Sequence, residues 1–66
     1  MEHDPRDKKL IQIFIRKCAA MRMTLKDVGA AVDRTEAWAS LITRGRIESL
    51  RFATRNRIRE FLDHHQ

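Results

Sequence analysis

TLKDVGAAVDRTEAWASLITRG, residues 24–45, contains two short helices with almost nothing between them. Thr24 stands where a helix cap belongs. Its hydroxyl is placed to accept the backbone N–H of Asp27, and Asp27 puts a negative charge at the positive end of the helix. The pair reads as a capping box with Asp in place of the usual Glu. Val28, Ala31 and Val32 supply an apolar face, and the helix is expected to end near Asp33. A second helix starts at once. Either Asp33 with Glu36 makes a capping box, or Thr35 makes a simple cap. Ala37, Trp38, Leu41 and Ile42 follow at helical spacing, with Ala39 on the neighbouring face, and Gly45 stops the helix. A connection of three or four residues forces the two helices to cross steeply, as in a helix-turn-helix. Gly29 lies inside the first of them, where it costs up to ~1 kcal/mol relative to alanine. Its presence predicts that a neighbouring helix comes too close for a side chain.

Working outward, Asp4-Pro5-Arg6-Asp7 is a helix start: Asp4 caps, Pro5 suits the first helical position, and Asp7 favours the positive end of the dipole. Leu10, Ile11, Phe14, Ile15 and Cys18 then form one apolar stripe. This helix is expected from Pro5 to Met21, with Ile13 off the stripe. On the other side, Ser49 is placed to cap a last helix whose face carries Leu50, Ala53, Thr54, Arg57, Ile58, Phe61 and Leu62, with Phe52 off it. No repeat, linker or strand pattern interrupts the chain. The expectation is one all-α domain over residues 1–66: a compact four- to five-helix bundle containing a helix-turn-helix, with five helices if the last breaks near Asn56.

Bulk properties narrow the function classes. A chain of 66 residues hides only about 60% of the surface its unfolded form exposes, so a partner adds usefully to its stability. One cysteine, Cys18, excludes an internal disulfide and suits a reducing compartment. No segment approaches the ~18 apolar residues of a membrane span, and the N-terminus lacks a signal-peptide core. A soluble, cytoplasmic protein with no membrane association is expected. The net charge is +5. Arg44, Arg46, Arg51, Arg55, Arg57 and Arg59 face a single acid, Glu48, across that stretch. An arginine-only basic half suits a polyanion, because guanidinium forks match phosphate geometry. A solvated helix face is the plain alternative, above all for Arg51, Arg55 and Arg59, which share one side of the last helix. There is no nucleophile–base pair, no glycine-rich phosphate loop and no Cys/His ligand set, so neither a catalytic residue, a metal site nor a cofactor is expected. His64-His65 reads as a chain end, since adjacent residues of a helix cannot both point inward.

Residues 24–45 also resemble, position by position, the helix-turn-helix of the lambda-repressor-like superfamily. Thr24-Leu25-Lys26-Asp27-Val28 is similar to the opening of the lactose-repressor type. Ala39-Ser40-Leu41-Ile42-Thr43-Arg44-Gly45-Arg46 is similar to the end of the Cro/C1 type, and Ile15-Arg16 with Cys18 fits the first helix of that type. Thr54-Arg55-Asn56-Arg57-Ile58 is again similar to the lactose type. The likeness spans about residues 10–62. At the turn, Asp33 stands where Gly is usual and must take a left-handed conformation. Arg34 stands where an apolar residue is usual and must turn outward, because a buried unpaired charge is prohibitive.

The resemblance implies a sequence-specific regulator of double-stranded DNA, such as a small repressor of phage, plasmid or mobile-element type near the nucleoid. The helix from about Thr35 to Arg44 would enter the major groove N-terminus first. Thr35, Glu36, Ala37, Ser40 and Leu41 would then face the bases. Glu36 suits a cytosine amino group, Ala37 and Leu41 suit thymine methyls, and Ser40 suits a base edge or a phosphate. Thr24, Lys26, Arg34, Trp38, Arg44 and Arg46 would lie along the phosphates. Trp38 falls at a seam: it is either a core anchor or a margin residue whose indole N–H needs a partner. A domain this small reads few base pairs, so a homodimer on a two-fold site is expected; it rests on the leftover apolar residues Ile13, Phe52, Phe61 and Leu62, of which Phe52, Phe61 and Leu62 are the interface candidates. The alternative is a protein-interaction module, an antitoxin or adaptor, contacting its partner through Trp38 and Phe52.

Overall fold

Four helices follow one another in a computed structural model that describes residues 5–65. They are α1 (Pro5–Ala20), α2 (Leu25–Ala31), α3 (Glu36–Thr43) and α4 (Phe52–His64). The Asp4 cap and His3 lie outside the described residues. The all-α reading holds, with four helices; α4 runs through Asn56 without a break.

The first three helices end in the same way. After α1, Arg22 takes a left-handed φ of 56°, with Met23 N–H donating to Cys18 O and Arg22 N–H to Ala19 O. After α2, Asp33 has φ 57°, with Arg34 N–H on Gly29 O and Asp33 N–H on Ala30 O. After α3, Gly45 has φ 75°, with Arg46 N–H on Leu41 O and Gly45 N–H on Ile42 O. Each is a Schellman turn, which satisfies carbonyls that the helix end leaves open. Only one of the three left-handed positions carries glycine. The turns also place the helix ends slightly earlier than the apolar pattern does: α1 stops at Ala20, not Met21, and α2 at Ala31, not Asp33.

The helix starts follow the side-chain caps. Thr24 and Asp27 form the full reciprocal box, with Asp27 N–H donating to Thr24 Oγ1 at 3.1 Å and Thr24 N–H to Asp27 Oδ2 at 3.2 Å. Thr35, not Asp33, caps α3, accepting from Trp38 N–H at 3.1 Å. The start of α4 departs from expectation. Arg51, which offers no side-chain cap, precedes it, and the helix begins at Phe52. Leu50 stays in the preceding loop because its N–H is held by Asp7 Oδ2 at 3.1 Å. That bond spans most of the chain, so no local signal in Ser49-Leu50 reveals it.

Phe14, Val32, Ala39, Ile42 and Ile58 are almost wholly buried. Phe14 is central, 5.5 Å from the Phe61 ring in an edge-to-face contact and 6.4 Å from Trp38. Both separations lie in the favourable range for aromatic pairs. Gly29 meets backbone: a Cβ there would lie 2.6 Å from Thr35 O and 2.8 Å from Arg34 O. The close approach expected of it is real, but the neighbour is the turn and the start of α3. This contact seats α2 against α3 and fixes the angle at which α3 leaves the body.

Candidate nucleic-acid interface

α3 divides its residues cleanly. Trp38, Ala39 and Ile42 point into the core. Ala37, Leu41 and Arg44 are exposed and Ser40 is half-buried, so positions 37, 40, 41 and 44 form one outward stripe at helical spacing. Leu41 is 47% exposed, which is unusual for a leucine in a domain with this little core. Thr35 and Glu36 are exposed at the N-terminal end of the stripe. Arg44 and Arg46 bracket Gly45 at the other end, both exposed, and the left-handed Gly45 turns the chain away there.

Arg34 turns outward, as its charge requires. Its guanidinium carbon lies 5.8 Å from the centre of the Trp38 ring, within cation–π range. Trp38 is only 8% exposed. Its role is therefore that of a core anchor packed on Phe14, which also serves as a platform for Arg34. Of the two, both expected along the phosphates, Arg34 is exposed and the indole is not. Arg34, Trp38, Ile47, Ser49, Leu50, Arg51 and Thr54 line a cavity of about 210 Å³ between the N-terminal ends of α3 and α4.

The start of α2 is more occupied than expected. Thr24 and Lys26 are both exposed. The Thr24 hydroxyl oxygen and backbone N–H are engaged with Asp27, whose carboxylate already sits at the helix start. What remains there for an outside anion is the Lys26 ammonium, the Thr24 hydroxyl proton and the first-turn backbone N–H groups of Leu25 and Lys26. Thr35 keeps its hydroxyl proton in the same way while its oxygen caps α3.

One arginine leaves the basic set. Arg55 makes a two-pronged bond to Asp7, Nε to Oδ1 at 2.6 Å and Nη2 to Oδ2 at 2.8 Å, and its Nη2 also reaches Leu50 O at 3.2 Å. Asp7 is 1% exposed. The Arg55 hydrogen bonds hold its carboxyl below the ordinary value of 3.8; burial opposes this, and the Leu50 N–H reinforces it. Sequence reasoning read Asp7 as a dipole-favoured residue and Arg55 as surface. A signal existed: positions 7, 11, 14 and 18 share one helix face, so Asp7 lies on the apolar stripe and needs a cation.

Among the interface candidates, Phe52 is 74% exposed and Leu62 half-buried, whereas Phe61 is 8% exposed against Phe14. Phe61 is thus a core residue and leaves that set. Its outer ring face carries His65, 4.6 Å away. Burial pushes the Cys18 thiol up to about 11, which keeps it protonated and unreactive. Among the described residues no helix is long and apolar enough to cross a membrane, and no three His, Cys, Asp or Glu side chains cluster as metal ligands do. No family model, curated protein or solved structure matches the chain.

Proposed function

We propose that this protein binds double-stranded DNA as a small transcriptional regulator, laying α3 in the major groove. The observation that carries the reading is the outward stripe Ala37–Ser40–Leu41–Arg44. Its middle is uncharged, Ala37, Ser40 and Leu41, and it runs from Arg34 at one end to Arg44 and Arg46 at the other. A groove about 12 Å wide admits a helix with such a face. The likeness of residues 24–45 to lambda-repressor-like helix-turn-helices supports the same docking. Glu36 is the group for a cytosine amino proton, and Ala37 and Leu41 are the surfaces for thymine methyls. Lys26, Arg34, Arg44 and Arg46 are the phosphate cations, with hydroxyl donors from Thr24 and Thr35. Phe52, 74% exposed, is the residue for pairing of two copies across a two-fold site.

Titration of the protein against random-sequence duplex DNA over a salt series tests this. With about five phosphate contacts, log K falls against log salt with a slope near −4 to −5. No binding at low salt, or a flat salt response, overturns the proposal.

A further inference from the structure

Ile13, Arg16, Lys17 and Ala20 of α1 and Leu62 and His65 of α4 line an open groove of about 560 Å³. It shares no residue with α3 or with the loops that flank α3. Its floor is apolar: Ile13 is 47% exposed, and Leu62 is only partly covered by the core. Its rim is cationic. Neither Arg16 nor Lys17 makes an ion pair among the described residues, and no acid lines the groove. An aliphatic at position 13 gains nothing by facing water, and the two cations beside it make no ion pair among the described residues.

We propose that this groove docks an acidic amphipathic helix of a partner protein. Charge complementarity selects that occupant. A helix with aliphatic residues at i, i+3 and i+4 and carboxylates alongside covers Ile13, Ala20 and Leu62 and neutralises Arg16 and Lys17 together. A second copy of this chain is disfavoured, because a two-fold contact here sets each Arg16–Lys17 pair near its own image. Nucleic acid satisfies the cations but leaves the aliphatic floor wet. The groove therefore gives the protein a second, independent face, through which a DNA-bound copy holds an acidic partner.

The full chain, isotopically labelled, is titrated with a synthetic helix of about 15 residues bearing leucines at i, i+3, i+4 and i+7 and glutamates elsewhere, and with a scrambled peptide of the same composition. The amides of Ile13, Arg16, Lys17, Ala20 and Leu62 are expected to shift with the patterned peptide, and those of α3 to stay. The scrambled peptide, Ile13→Ser and the double variant R16E/K17E are each expected to weaken binding about tenfold, with helical circular dichroism unchanged. R16Q/K17Q, which keeps the stems, is the check should the charge reversal unfold α1. Duplex DNA binding is measured on Ile13→Ser, which leaves the net charge at +5, and is expected to be unaffected, so failure here and failure of the DNA reading are separable. The proposal is overturned by the absence of groove shifts, by equal binding of the scrambled peptide, by a dimer in sedimentation that Ile13→Ser abolishes, or by loss of DNA binding in Ile13→Ser.

Discussion

Asp7 holds three donors at once, Arg55 Nε, Arg55 Nη2 and Leu50 N–H, and so ties the start of α1 to the loop before α4 and to α4 itself. Removing the carboxylate leaves the buried Leu50 N–H without its acceptor and takes two hydrogen bonds from a partly buried guanidinium. Asp7→Ala is expected to cost about 3 kcal/mol, out of a total of roughly 3–10 kcal/mol for a chain this long. Chemical denaturation measures it. The pH dependence follows from the lowered pKa. A carboxyl depressed in the folded state stabilises fully above its unfolded value, and the contribution is lost as pH falls through the folded one. Stability should therefore decline below about pH 5, and Asp7→Asn should flatten that acid limb. Asp33 offers the opposite experiment. Its φ of 57° strains an L-residue by about 1 kcal/mol, so Asp33→Gly is expected to raise stability by about that much. A loss of stability instead would mean that the Asp33 side chain contributes to the turn. The left-handed turn at Asp33 was implied by the helix-turn-helix resemblance, and the outward course of Arg34 by the penalty on a buried unpaired charge. Asp7 was not read correctly, because its partner lies 48 positions away.

At the scale of elements, the caps were the most legible feature. Thr24 with Asp27 and Thr35 at α3 are local bonds between residues three apart, and each formed as the residue types require. The less legible ends were those set by distant contacts: α4 starts two residues late because Leu50 is held by Asp7. Gly29 decides how α2 and α3 cross. Its Cβ would meet carbonyl oxygen of the backbone, which cannot rotate aside. Gly29→Ala gains up to ~1 kcal/mol in helix propensity but forces the turn outward at a cost of about 3 kcal/mol. A net fall in Tm of about 10 °C is expected by circular dichroism, together with weaker duplex binding if α3 is the DNA-reading helix we propose. An unchanged Tm would show that the crossing of α2 and α3 has slack.

At the scale of the molecule, the net charge of +5 is unevenly spent. Arg55 is internal, Arg16 and Lys17 rim the α1–α4 groove, and Lys26, Arg34, Arg44 and Arg46 surround α3. If that last group is the DNA surface, single changes act in two distinct ways. Arg44→Ala is expected to weaken binding to every duplex alike and to lower the salt slope by about one. Glu36→Ala is expected to change base preference, measured by selection from a random-duplex library, with little effect on the slope. Non-specific binding that survives Arg44→Ala untouched would move the groove away from this end of α3. A radius of gyration of 10.8 Å, close to the value for a chain of this length packed to native density, means that the four described helices form one body.

The resemblance of residues 24–45 to a known helix-turn-helix implied the left-handed turn between α2 and α3 and the outward stripe of α3; local physics, written in the residue order, determined the all-α class and the capping box of Thr24 with Asp27. These last two rest on interactions within about one helical turn, so neighbouring residue types suffice. The tertiary structure alone decided the roles that depend on what lies opposite. Trp38 became a core anchor under Arg34 because Phe14 fills the space behind it. Phe61 became core for the same reason. Arg55 was withdrawn from the basic surface because Asp7 sits buried within reach of it. A side chain's own chemistry states what it requires, and only the packed chain determines which distant residue supplies it.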